Sequence, residues 1–85
     1  MDIVTKIRQY ISQNLLFSED GFHYSDDDSL LGEGIIDSMG VMEMVVFIEQ
    51  EYAIAVPDLE ITPENFDSVK KLAKYINAKI NKDST

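Results

Sequence analysis

Apolar residues recur at helical spacing in several stretches of this chain. Ile3, Ile7, Ile11 and Leu15 return every four residues, with Val4 and Tyr10 flanking the stripe. Lys6, Arg8, Gln9 and Gln13 fall on the other side. The pattern predicts an amphipathic core helix over residues 2–16, with Asp2 capping its start. Val69, Leu72, Ala73, Ile76 and Ile80 predict a second such helix over 68–81, capped by Asp67 or Ser68. Its lysines, Lys70, Lys71, Lys74 and Lys79, are expected to face water, and Lys79 also suits the negative helix end. The tail Asn81 to Thr85 is expected to fray. Thr62-Pro63-Glu64-Asn65-Phe66 reads as a one-turn helix, with Thr62 as cap, Pro63 at the first helical position and Phe66 as anchor.

Residues 38–52 predict a helix with two apolar faces. At 100° per residue, Val41, Met44, Val45, Ile48 and Tyr52 cluster on one side and form the core face. Met39, Met42 and Val46 cluster on nearly the opposite side, rimmed by Glu43, Glu49 and Gln50, with Phe47 nearby. Either the helix is buried on both faces, or the second face is a docking surface. The acidic rim favours docking, because such residues are costly to bury. Methionine suits a surface that fits several partners.

Two connections remain. Residues 17–37 form a long loop, expected to be pinned to the core by Leu30-Leu31, Ile35 and Ile36, with Phe22 and Tyr24 as further anchors. Residues 53–61 read as extended, with Ile54, Val56, Leu59 and Ile61 available to the core and Pro57 ending any helix before it.

With 85 residues, the chain is expected to form one domain. It is too apolar, at 45% hydrophobic, for a disordered acidic tail despite its net charge of −9. The charge is unevenly placed. From Phe17 to Asp67 there are fourteen Asp and Glu and no Lys or Arg; the basic residues lie towards the two ends. Such a centre repels nucleic acid and anionic lipid and attracts basic-patched partners. The absence of Cys removes disulfides and thiol nucleophiles. The longest apolar run, Met44 to Ile48, is far short of a membrane span, and the start Met1-Asp2-Ile3 lacks signal-peptide character. A cytoplasmic location is the default expectation.

Candidate chemistry centres on Ser38. Asp37 is a good N-cap for the helix over 38–52, which places Ser38 in the first turn at the surface, after the Gly34-Ile35-Ile36 segment. Helix N-termini favour anions, so a phosphate ester on Ser38 would be well placed. A hydrolytic role is disfavoured. The lone His23 lies fifteen residues upstream in a loop, and Ile36-Asp37-Ser38-Met39-Gly40 is no nucleophile elbow. The cluster Asp26-Asp27-Asp28 suggests calcium, but the spacing fails: position six is Leu31 where Gly is needed, and position twelve is Asp37 where Glu is needed.

These residues resemble a family. Gly34-x-x-Asp37-Ser38-Met39, a helix ending Glu49-Gln50-Glu51-Tyr52, then Ile54-x-Val56-Pro57, Ile61-Thr62-Pro63-Glu64-Asn65-Phe66, Ser68-Val69 and Tyr75-Ile76 are similar to the acyl carrier proteins. The resemblance implies an all-α four-helix bundle with a long first loop and a short third helix. It implies a non-enzymatic, monomeric carrier whose Ser38 holds 4′-phosphopantetheine, added from coenzyme A by a phosphopantetheinyl transferase. The arm's thiol would bear an acyl or aminoacyl group as a thioester. In the family, the residue matching Asp37 supports attachment by helping to place a metal ion in the transferase complex. Met39, Met42, Glu43, Val46 and Glu49 match the face that docks loading and acyl-using enzymes. Met39, Gly40 and Phe47 depart from the fatty-acid-synthesis pattern. Asp37-Ser38-Met39-Gly40 looks more like specialised stand-alone carriers, including D-alanyl carriers and those of polyketide or nonribosomal-type pathways. Phe47 is expected to narrow or redirect the inner pocket. The alternative is an interaction module of the same fold that is never modified.

Overall fold

A computed structural model describes residues 2–83, with the side chains of Lys82 and Asp83 left out. Four α-helices are present, and there is no strand among the described residues: α1 (Ile3–Tyr10), α2 (Ser38–Tyr52), α3 (Pro63–Phe66) and α4 (Val69–Asp83). The final helix thus runs two residues beyond the expected end. The part of the predicted frayed tail at Ser84 and Thr85 lies outside the described residues.

Asp2 caps α1 by accepting the Thr5 N–H at 2.7 Å. The predicted helix over 2–16 changes character after Tyr10, becoming a π-helical turn over Ile11–Leu15. The stripe explains the change. In an α-helix, residues four apart advance about 40° beyond a full turn, so an every-four stripe rotates away from the core. A wider π turn returns it. Ile7 and Ile11 are fully buried, and Leu15 still packs against the core. Ser12 is buried as well, and its hydroxyl donates to the Gln9 carbonyl at 3.1 Å.

The core face of α2 is as spaced: Val41, Met44, Val45 and Ile48 are buried, and Tyr52 is half-buried. They meet Val69, Leu72, Ala73 and Ile76 of α4, with Ile7 and Ile11, in one cluster. Phe47 does not face the inner space between α2 and α3. It stacks on Tyr10 with ring centres 4.1 Å apart and meets the edge of Tyr52, so it seals the α1–α2 seam.

Leu30, Ile35, Ile36 and Phe22 pin the long loop, all buried. Leu31 and Tyr24 do not: both are exposed, Tyr24 lying edge-on to Phe22. The chain turns at this point, and the turn carries Leu30 inward and Leu31 outward. Leu59 is likewise no anchor. It is 92% exposed at the outside of a 3₁₀ turn, Asp58–Glu60, while Ile54 and Val56 fill the core.

Thr62 precedes α3 with extended backbone but makes no side-chain cap bond to it. The Glu64 carboxyl is held below its ordinary value, first by its own backbone N–H and then by the nearby Thr62 hydroxyl. Ser68 caps α4, accepting the Lys71 N–H at 3.0 Å. Lys79 does not simply face water. It lies near the Tyr75 ring and donates to Glu60 Oε1 at 3.2 Å, beside the Tyr75 hydroxyl, which donates to the same oxygen at 2.6 Å. Burial first, then that carboxylate, pushes the Tyr75 phenol well above its ordinary value.

Ala53 ends α2 in the left-handed region, with φ 53° and ψ 43°. A Cβ is disfavoured there and glycine is not. Ala53→Gly is expected to stabilise the fold by about 0.5–1 kcal/mol. Urea denaturation should show a higher midpoint at unchanged slope.

Candidate functional site

The start of α2 is held by a short chain of contacts that begins in α3 and α4. Asp67, between those helices, clamps the long loop. Its carboxylate accepts the Ser29 hydroxyl at 2.6 Å and the Leu31 N–H at 3.0 Å, and its carbonyl accepts the Leu30 N–H at 2.8 Å. Burial works to raise the Asp67 carboxyl, but these hydrogen bonds, with help from Lys71, hold it below its ordinary value. Sequence spacing marked Asp67 only as a helix cap. Its reach to residues 36 and 38 positions away carries no local signal.

From Leu30 the chain curls tightly. The N–H groups of Ile35 and Ile36 both donate to the Leu30 carbonyl, at 2.9 and 3.0 Å. Gly34 makes this turn with φ 70°, a region that suits glycine. Ile36 then underlies the first turn of α2. A Cβ on Gly40 would sit 3.1 Å from the Ile36 Cβ, so glycine lets the turn lie flat on its anchor. Steric fit thus explains Gly40, where the sequence pattern showed only a departure.

Asp37 caps the helix. With extended backbone, its carboxylate accepts the Gly40 N–H at 2.9 Å and its carbonyl the Val41 N–H at 3.1 Å. Ser38 follows as the first helical residue and is exposed. The N–H groups of Ser38 and Met39 have no intrahelical acceptor, and they stand at the positive end of the helix dipole. A phosphodiester on the Ser38 hydroxyl fits this position: the oxygen is open to solvent and the end of the helix suits an anion.

Beyond Ser38, Met39, Met42 and Val46 are 74%, 52% and 52% exposed. With Ser38 and Glu43 they line an open groove of about 480 Å³. The face is therefore unburied. Glu43 is exposed, and only its backbone is engaged, accepting from the Tyr10 hydroxyl at 3.3 Å. Glu49 differs from the rest of the rim. It is half-buried, and one carboxylate oxygen accepts the Val56 N–H at 2.9 Å, tying α2 to the segment after it. Reversing its charge would disturb the fold as well as the face.

The acidic loop is tied to the basic ends of the chain. Asp26 lies 3.6 Å from Arg8, Asp27 lies 3.6 Å from Lys70, and Lys6 pairs with Glu51. The repulsion expected of fourteen acids is thereby partly offset. Among the described residues no ion pair reaches Asp37 or Glu43, so negative charge is left uncompensated around Ser38. His23 is exposed in the loop.

Comparison with known proteins identifies the family. Residues 5–76 match the family described as the phosphopantetheine attachment site. The chain is 36% identical to a D-alanyl carrier protein of Streptococcus suis over 72 residues, covering 85% of this chain and 87% of that protein. It is 33% identical to the D-alanyl carrier protein of Streptococcus mutans over 76 residues, 89% and 92% of the two chains. It is 31% identical to aminoacyl carrier protein 2 of Bradyrhizobium diazoefficiens over 74 residues, 87% and 78%. The chain belongs to the phosphopantetheine-attachment family and is a carrier protein, built on a domain to which 4′-phosphopantetheine is covalently attached.

Proposed function

We propose that Ser38 is the attachment point and that the cargo is a small aminoacyl group. The observation that carries the first part is the exposed Ser38 hydroxyl at the capped, open N-terminus of α2. Bound there, the cofactor supplies the thiol that this cysteine-free chain lacks. Asp37 fixes the helix end by taking the Gly40 N–H, and its neighbouring charge supports attachment. The chain needs no catalytic step of its own: it holds the arm and presents it to enzymes that load and unload it.

Two observations favour a small cargo. The similar proteins named above are D-alanyl and aminoacyl carriers. The partly open space between α2 and α3, lined by Leu31, Val41, Ile61, Pro63 and Phe66, is about 80 Å³. That is small beside the open spaces of about 480 and 650 Å³ that flank the start of α2, and it offers a long acyl chain little shelter. The test is incubation with a phosphopantetheinyl transferase and coenzyme A, then with aminoacyl-adenylating enzymes. Intact mass should show one arm and then one amino acid. A chain that takes the arm and accepts only long acyl groups would contradict the cargo reading.

Met39, Met42, Glu43 and Val46 form the proposed docking face for basic-patched enzymes, with Glu49 at its rim. Glu43→Lys is expected to leave the fold intact, because that exposed side chain is in no hydrogen bond or ion pair among the described residues. It should raise the transferase KM several-fold at low salt, and the effect should shrink as salt screens the exposed charge. Steady-state rates at two ionic strengths check this.

A further inference from the structure

Met39 and Glu43 form a ridge with an open space on each side. One is the groove along α2. The other is a cleft of about 650 Å³ between the end of the first helix and the loop, lined by Leu15, Phe17, Leu31, Met39 and Glu43 among others. It reaches Asp37 and Met39, the immediate neighbours of Ser38.

Phe17 at its rim is unusual twice over. It is 80% exposed, and its backbone is left-handed, at φ 52°. A bulky residue there is strained, and its exposed ring gains little from burial. The conformation is held by the closing of the π turn. The Leu16 N–H donates to the Ile11 carbonyl at 2.9 Å, and the Ser18 N–H to the Ser12 carbonyl at 2.7 Å. π turns and strained surface residues are both common where a protein meets a ligand or partner. Leu31 and Met39, also exposed, complete the apolar lining. Asp37 and Glu43 give the cleft negative charge, and no Lys or Arg occurs between residues 17 and 67.

We propose that this cleft is a second docking point for the transferase that modifies Ser38, filled by an apolar side chain of that enzyme with lysine or arginine beside it. The proposal rests on Ser38 being the attachment point. A transferase must bring its reacting atoms to the Ser38 hydroxyl itself, so its surface lies over the start of α2, where Met39 and Glu43 border both open spaces. A loading enzyme meets the far end of the arm and requires no contact with the end of the first helix.

Phe17→Gly separates docking from folding. It removes the ring and suits the left-handed backbone, so the variant should melt at or above the wild-type temperature. With a broad-specificity phosphopantetheinyl transferase and coenzyme A, initial rates by intact mass should show KM raised about ten-fold and kcat little changed. Phe17→Tyr keeps the ring and should restore KM to near wild type. Modification of Phe17→Gly at the wild-type KM, with the wild-type chain itself modified, would overturn the cleft and leave the Ser38 reading standing. A wild-type chain that takes no arm would overturn both.

Discussion

Ser38→Ala will fold like the wild-type chain and take up none of the cofactor. The fold should not notice the change. Ser38 is exposed at the first position of α2, and the cap bonds come from Asp37, not from Ser38. Alanine is the best helix former, so the stability change should lie within about 0.5 kcal/mol. The chemistry is lost entirely, since the oxygen that would form the phosphodiester is gone. Circular dichroism should give overlapping melts for the two chains. Intact mass after incubation with transferase and coenzyme A should give one added arm for the wild type and none for the variant. An unmodified interaction module would lose nothing on this substitution.

Asp67→Ala should have the largest effect on stability. It removes the acceptor for the Ser29 hydroxyl and the Leu31 N–H. Hydrogen bonds to a charged group are worth about 1.5–3 kcal/mol each, and non-additivity brings the expected loss to about 2–4 kcal/mol. A chain of 85 residues has on the order of 4–13 kcal/mol in all, so urea denaturation should show a large shift of the midpoint. The loop that carries Ile35 and Ile36 to the base of α2 would loosen, and modification of Ser38 should slow with it.

The same carboxylate gives a pH signature. Its folded pKa is lowered, because the Ser29 and Leu31 donors outweigh the effect of burial. Stability from this group is therefore fully present above the ordinary carboxylate range, about pH 4, and is lost as pH falls through the lower folded value. Asp67→Asn keeps an acceptor and cannot titrate. Its stability deficit relative to wild type should shrink as pH falls from about 5 towards 2.

What the sequence made legible follows from how local each determinant is. The faces of α2 depend on spacing alone, and Val41, Met44, Val45 and Ile48 are buried while Met39, Met42 and Val46 are exposed. The Asp37 cap is a contact over three residues and could be read directly. The π turn was not legible, because every-four spacing fits an α-helix nearly as well over two turns. Phe17 carried no signal, since its strain belongs to the backbone after that turn. The clamp by Asp67 and the Glu60–Tyr75–Lys79 cluster join distant positions whose pairing only the fold reveals. Leu31 and Leu59 were misplaced for a related reason. Apolar character alone does not say which way a loop side chain turns, and both are exposed.

The most direct test is to find which residue bears the arm. After modification with transferase and coenzyme A, proteolysis and fragment-ion mass spectrometry should place a single 4′-phosphopantetheine on Ser38. An arm found on any other serine, or none found on the intact wild-type chain, would contradict the assignment of the α2 terminus as the site.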